Sequence, residues 1–419
     1  MQRARVRTAA VLATTALLAS GLLAGCTSTN SAGSGASSAA VPGVTSKDIT
    51  LGALIPLTGA FAAGAKASLV GVNLYWDSIN ASGGVCGRDV KVIARDTAYD
   101  PQKTVTAYAA VNTQILGIQL LTGTPTTEAV LPQLSQDDMV AVPMSWSPDL
   151  LGKSSLPIPG ATYDVDMMNA VDYLLKTGDL KKGDTIGYIY FQGDFGSAGL
   201  AGAQYAAKIH DITVDPYQVD PTVTDLSSQV SQMATAHTSA IFISASPPLL
   251  ANAAALSHTD GLDVPIVVPT PTYVPQLLAS PAADQIAGRT IVVSSYNAWT
   301  ADAPGIKELR AAFKKSGETS DPQQFDIAGY SAANLMHGAL TAACKNGPLT
   351  RASLKKAFAA IDGADMNGLS VDVSYRDRTA PPSLEDYILK ADKNAVGGLT
   401  PLLDEPYKGA DTKPLLKGK

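Results

Sequence analysis

The chain is short of nearly everything that marks a catalyst or a nucleic-acid binder. It has only four histidines, and His210, His237, His258 and His337 share no metal-ligand spacing. No GxSxG occurs; the nearest stretch, Gly329-Tyr330-Ser331-Ala332-Ala333, falls inside an expected helix. Gly152-Lys153-Ser154 has Ser147 where a phosphate-binding loop needs glycine. Asp137-Asp138 reads as a solvated pair rather than an acid–base dyad. No catalytic set, metal or cofactor is therefore expected. Basic charge is also scarce: the formal net charge is −6, which argues against a nucleic-acid partner. Charged residues make up 16% and aromatics 6%, against 46% hydrophobic, which suits an α/β core of Ala, Val, Leu and Ile. Cysteine is sparse too: the three are Cys26, Cys86 and Cys344.

Long apolar runs are confined to the start. Arg3, Arg5 and Arg7 precede an apolar stretch at 9–18, too short for a comfortable membrane span. It closes on Leu23-Ala24-Gly25-Cys26, which resembles a bacterial lipobox. A signal peptide over 1–25, with lipid on Cys26 anchoring the chain to the outer face of the cell membrane, is expected. Loss of the three arginines makes the remainder more acidic still. Residues 26–46, nearly all Ser, Thr, Ala, Gly and Asn up to 40, read as a flexible tether. Cys86 and Cys344 then remain, either as a disulfide of an exported protein or as two separate thiols.

The ordered part is organised around residues 49–96. The apolar run 49–57 suits a strand buried on both faces. The loop Thr58-Gly59-Ala60-Phe61-Ala62-Ala63-Gly64 follows, with Phe61 its one large side chain. Ala65, Leu69, Val72, Trp76 and Ile79 then recur at helical spacing, and Gly83-Gly84 ends the helix. Residues 89–96 read as a second strand, and Asp100-Pro101 opens a second helix. Strands are further expected at 118–121 and 139–143, then at 185–191, 212–219, 240–244, 264–268 and 290–295, with helices between them. This is a doubly wound α/β layout, in which ligands bind beyond the C-terminal ends of strands. The hydroxyls of Thr124, Thr126 and Thr127 are placed to cap a helix expected at 128–134, or to offer an anion site at its start. Residues 368–375 and 384–390 read as a hairpin.

Ile55-Pro56-Leu57-Thr58-Gly59-Ala60-Phe61, the helix end Ile79-Asn80-Ala81-Ser82-Gly83-Gly84-Val85-Cys86-Gly87-Arg88, and Arg95-Asp96-Thr97-Ala98-Tyr99-Asp100-Pro101 together resemble the type I periplasmic binding proteins. Within these the chain is similar to the leucine/isoleucine/valine-binding branch of ABC-transporter solute receptors, over about 49–390. The resemblance implies two Rossmann-like lobes joined by a three-segment hinge. It places the N-terminal lobe at 47–163 and 297–368 and the C-terminal lobe at 164–296 and 369–395, and it leaves 396–419 as a loosely held tail. It puts Cys86 and Cys344 in the same lobe. It implies that a ligand carboxylate meets Thr124 and Thr126, that Ser145 and Trp146 sit on the next ligand loop, and that Phe195 and Tyr273 face them from the second lobe.

One departure bears on the ligand. Relatives that bind amino acids hold the ammonium with an acid and tyrosines in the second-lobe loops. Here those loops read Ser244-Ala245-Ser246-Pro247-Pro248 and Pro269-Thr270-Pro271-Thr272-Tyr273, without a carboxylate. Asp194, on a neighbouring loop, is the one acid in reach. The expected function is that of a monomeric solute-binding lipoprotein serving the permease and ATPase of an ABC importer. The ligand expected is a branched-chain or other hydrophobic amino acid; an aromatic or aliphatic acid without an amino group is the alternative. A ligand sensor for a signalling partner would carry the same pocket.

Overall fold

β1 (Asp48–Ile55), α1 (Ala62–Ala81), β2 (Asp89–Asp96), α2 (Pro101–Val111), β3 (Gly117–Thr122), α3 (Thr124–Gln136) and β4 (Ala141–Met144) alternate along the chain in the computed structural model. It describes residues 40–412, without the side chain of Asp194. The signal segment, Cys26 and residues 413–419 lie outside the described residues, as does most of the tether. The four strands form one parallel sheet in the order β2-β1-β3-β4. Its inner strands are apolar because helices cover both faces; Ile49, Leu51, Leu54 and Ile55 of β1 are fully buried. Among the described residues no helix is long and apolar enough to cross a membrane.

The second sheet follows α4 (Tyr163–Thr177). It begins with β5 (Thr185–Phe191), α5 (Asp194–Ile209), β6 (Thr213–Val219), α6 (Ser227–Thr235), β7 (Ala240–Ser244), α7 (Pro247–Thr259), β8 (Ile266–Pro269), α8 (Ala283–Arg289) and β9 (Thr290–Ser294). The chain then returns to the first layer for α9 (Pro304–Ser316), α10 (Gln324–Lys345) and α11 (Arg351–Ala359). It comes back for β10 (Tyr387–Ala391) and β11 (Leu399–Pro401). The order is β11-β10-β9-β8-β7-β5-β6, parallel from β9 to β6, with β10 and β11 added antiparallel. The expected class, two doubly wound lobes joined by three chain segments, is the observed one.

Two stretches differ from their sequence reading. Residues 368–375 alternate as a half-buried strand does, with Val371, Val373 and Tyr375 buried and Asp372 exposed. Their hydrogen bonds go elsewhere, Val371 N–H to Ser295 and Tyr375 N–H to Ile361, both at 2.9 Å, so no hairpin with 384–390 forms. The stretch from 396 on, read as a loose tail, supplies β11 on the edge of the sheet. It goes on to Tyr407, which pairs with Asp386 backbone to backbone and donates its hydroxyl to Asp172.

The first lobe is fixed by a helix pair. On α1, a methyl at Gly71 would lie 1.9 Å from the Asp326 carbonyl oxygen; on α10, one at Gly329 would lie 1.9 Å from that of Ser68. Only glycine at both positions lets the two backbones come this close. Cys86, just past α1, and Cys344, in the last turn of α10, are joined by a disulfide across the same pair. Replacing Cys344 with serine should lower the stability of the oxidised protein by roughly 2–5 kcal/mol. Chemical denaturation with and without reductant checks this; equal midpoints would refute it.

The three crossings are stitched to one another. Ala161 N–H donates to Ser295 Oγ at 2.9 Å, and Asn297 N–H to the Leu369 carbonyl at 3.0 Å. Tyr375 donates its hydroxyl to the Ile158 carbonyl at 2.8 Å. Beside them lie two buried acids, Asp166 of α4 and Asp386 at the start of β10. Asn169 Nδ2 donates to Asp386 Oδ2 at 2.7 Å, and Ser295 also hydrogen-bonds Asp386. The two carboxyls hydrogen-bond each other, so one must hold a proton. Burial first, then repulsion from Asp386, raises Asp166 well above the ordinary carboxyl value; burial raises Asp386 to about 7.

The shared proton therefore favours the folded state. The stability gained from the raised pair is complete below the ordinary value of 3.8 and is lost as the pH rises, first through about 7 where Asp386 ionises and then through the raised range of Asp166. Asp166→Asn would place an N–H donor against the Asp386 carboxylate without needing a proton. The variant should lose less stability than the wild type between pH 5 and pH 8, by on the order of a few kcal/mol. Calorimetric melting at the two pH values measures this; parallel slopes would refute it.

Candidate functional site

The C-terminal ends of the two sheets face each other across one enclosed cavity. From the first lobe its wall takes Phe61, Gly64, Ala65 and Ser68 at the start of α1, Tyr99 after β2, and Thr122 and Gly123 after β3. Met144 and Trp146 after β4, and Phe325 in the first turn of α10, complete that side. Tyr163, at the first crossing and the start of α4, also lines it, and the second lobe supplies Phe195 of α5, Pro247 of α7, and Pro271 and Val274 after β8. The empty space is about 540 Å³, and it is thin. Rings form most of the surface: Phe61 lies 4.6 Å from Tyr99, Tyr163 lies 5.0 Å from Phe195, and Trp146 lies 5.9 Å from Tyr163. No described residue of the wall carries a charged side chain. The Asp194 side chain lies outside the described residues.

Tyr99 is aimed inward by a strained turn. Ala98 and Tyr99 have φ of 49° and 60°, a left-handed pair made by residues that both carry a Cβ. Each costs roughly 1–2 kcal/mol. The Asp96 carboxylate holds the turn, accepting from the N–H groups of Ala98 and Leu57, each at 2.8 Å, and from the Thr58 hydroxyl at 2.9 Å. Those bonds, the one from Ala98 foremost, hold its pKa below the ordinary carboxylate value. Opposite the ring stands Gly123, where a methyl would come within 2.5 Å of Tyr99 Cε2. Gly123 also has φ 99°, so it is required both by backbone shape and by space.

The threonines behave otherwise than expected. α3 begins at Thr124, four residues before the expected start, with Pro125 in its first turn and no side-chain cap. Thr126 and Thr127 turn their hydroxyls backwards onto the Gly123 carbonyl at 2.8 and 2.7 Å, so they donate to the preceding backbone instead of accepting from the helix start. Thr124 Oγ1 and Ser145 Oγ hydrogen-bond each other at 2.6 Å, and Ser145 also bonds the Tyr163 phenol. Thr124, Thr126 and Ser145 thus lie buried behind the wall, not on it. Tyr273 is likewise off the wall, donating its hydroxyl to the Gly398 carbonyl at 2.6 Å.

Of the residues singled out in the sequence, the structure brings Phe61, Trp146 and Phe195 together around the cavity. Tyr99, Tyr163 and Phe325 were missed. Tyr99 follows the C-terminal end of β2, where the strand-end rule points; Tyr163 reads as part of a crossing; nothing near Phe325 in sequence marks it. The histidines also hold a surprise: His210 comes together with Asp172 and Asp411. His210 bonds Asp411 at 2.9 Å and Tyr407 bonds Asp172, so these groups partner one another.

A family model described as periplasmic binding protein matches residues 48–395. The structure is similar to that of a fatty acid ABC transporter substrate-binding protein from Thermomonospora curvata, with 35% identity and a TM-score of 0.86. That match covers 89% of this chain and 95% of the other. It shares its fold with a branched chain amino acid ABC transporter protein from Thermus thermophilus with bound valine, at 18% identity and a TM-score of 0.78 over 90% of this chain and all of the other. A curated relative, Leu/Ile/Val-binding protein homolog 3 from Brucella melitensis, is 31% identical over 208 residues. That alignment covers 46% of this chain and spans about half of the relative, 54% of its length.

Gly123→Ala should strike this site by two routes, forcing an alanine into left-handed backbone and pushing its methyl into the Tyr99 ring. A loss of roughly 1–3 kcal/mol of stability is expected. Urea titration measures it, and a midpoint equal to that of the wild type would contradict the packing described.

Proposed function

The chain belongs to the periplasmic binding protein family, and from that premise we propose that it is the extracytoplasmic receptor of an ABC importer for an apolar monocarboxylate without an ammonium group. An aliphatic acid is the first choice. The observation that carries this reading is the cavity wall, which is aromatic and aliphatic and offers no carboxylate among its described residues. A buried ammonium without an anion is expensive, so an α-amino acid fits poorly. An alkyl chain gains about 0.8 kcal/mol for each methylene it buries, and a thin slot suits it. The name of the Thermomonospora protein, a fatty acid receptor, supports the same class. The name of the Brucella relative favours a branched-chain amino acid, and the missing carboxylate weighs against that alternative.

The proposed mechanism is hinge closure. Each lobe contributes one side of the wall, so ligand bridging the two favours the shut form over the open one. The shut form then offers its surface to the permease. Lobes at 47–163 with 297–368 and at 164–296 with 369–395, a lipid anchor on Cys26, a tether over 26–46 and a monomeric state complete the proposal.

A thermal-shift panel tests the ligand class. It should contain aliphatic acids from butanoate to hexadecanoate, phenylacetate, leucine, isoleucine and valine. At a hundredfold excess over its Kd a ligand of the native state adds about 2.7 kcal/mol, a shift of several degrees at most. One or more of the amine-free acids should raise the melting temperature. Shifts with the three amino acids alone would overturn the reading.

A further inference from the structure

We infer that the phenol hydroxyl of Tyr99 receives the ligand's acidic head, donating its proton in a hydrogen bond to a carboxylate oxygen. This rests on the reading of the ligand as an acid and names the residue that recognises it. The hydroxyl belongs to a side chain on the cavity wall and has no hydrogen-bond partner among the described residues. Here the acceptor is left to be brought by the ligand.

Three further observations converge on the same atom. First, two consecutive left-handed residues are held by Asp96 so that this one ring points inward. Strain of that kind persists where its surroundings enforce it and is concentrated at binding sites. Second, the space the ring occupies exists because Gly123 has no side chain. Third, the hydroxyls of Thr126 and Thr127 are bonded to backbone carbonyls and Thr124 is bonded to Ser145, which leaves Ser68, Thr122 and the Trp146 indole as the other side-chain donors on the wall. The ring also rests against the N-terminal end of α3, whose partial positive charge favours an anion nearby.

The chemistry suits the task. A phenol is neutral, so it adds no charge to a wall that has none. Burial raises its pKa above the ordinary tyrosine value, so it keeps its proton at physiological pH. A hydrogen bond to an ionised oxygen is about twice as strong as one between neutral groups, and stronger still away from water. The hydroxyl therefore favours a carboxylate over an alcohol of the same chain length.

The test compares unaltered protein with Tyr99→Phe, which keeps the ring and removes the oxygen. Each is titrated calorimetrically with octanoate and with 1-octanol. Tyr99→Phe should bind octanoate at least roughly tenfold more weakly and 1-octanol with a clearly smaller loss. The melting temperature of the ligand-free variant should stay near that of the parent. Equal octanoate affinity in the two proteins overturns the inference while leaving the acid reading intact. So does an equal loss for both probes, which would assign the ring a packing role only. No octanoate binding by the unaltered protein overturns the first choice of an aliphatic acid, and this inference with it. A measurement without substitution stands beside these: in protein labelled with ¹³C at tyrosine Cζ, the Tyr99 signal should move on adding octanoate, and an unmoved signal would contradict the contact.

Discussion

The whole arrangement depends on how three chain crossings are held at their second-lobe ends. Ala161, Ser295 and Val371 exchange hydrogen bonds across the crossings, and Asp166 and Asp386 share a proton beside them. The first lobe is locked internally by the glycine contact of α1 with α10 and by the Cys86–Cys344 disulfide. The second is a seven-stranded sheet closed off by β10 and β11. Rigid lobes on a narrow, mutually bonded hinge can change their angle without losing their cores.

Between the lobes the protein places rings rather than charges. This choice sets what can be accommodated. On the proposed reading apolar chains gain from burial and an acidic head meets hydroxyl and helix-end dipoles, whereas an ammonium would meet no carboxylate among the described residues of the wall. The strained turn at Ala98 and Tyr99 belongs to the same design. Its unfavourable backbone is offset by five hydrogen bonds around Asp96 and Thr97, and the result is a ring fixed in one direction. Local strain, glycine at position 123 and an unpartnered phenol are one feature seen from three sides.

Much of this was legible in the sequence, for identifiable reasons. The strands at 185–191 and 240–244 coincide with β5 and β7, because apolar runs between turn residues leave little freedom. The capping pair that opens α10, Gln323 with Asp326, has no simple signature in the sequence. The hairpin at 368–390 failed because alternation reports burial and not the hydrogen-bond partner. At the site, strand ends pointed to Phe61, Trp146 and Phe195. The threonines misled because a hydroxyl near a helix start can donate backwards as readily as it can cap. Tyr99 stayed hidden because two successive left-handed residues without glycine cannot be read from composition.

The claim at the centre is that the cavity accepts an acid because no described residue of its wall offers an amine a carboxylate. Calorimetry with octanoate and 2-aminooctanoate tests it most directly, since the two differ only in the ammonium. Octanoate should bind, and its amino derivative should bind at least roughly a hundredfold more weakly, as an unpaired buried charge requires. Equal or tighter binding of the amino acid would contradict the claim.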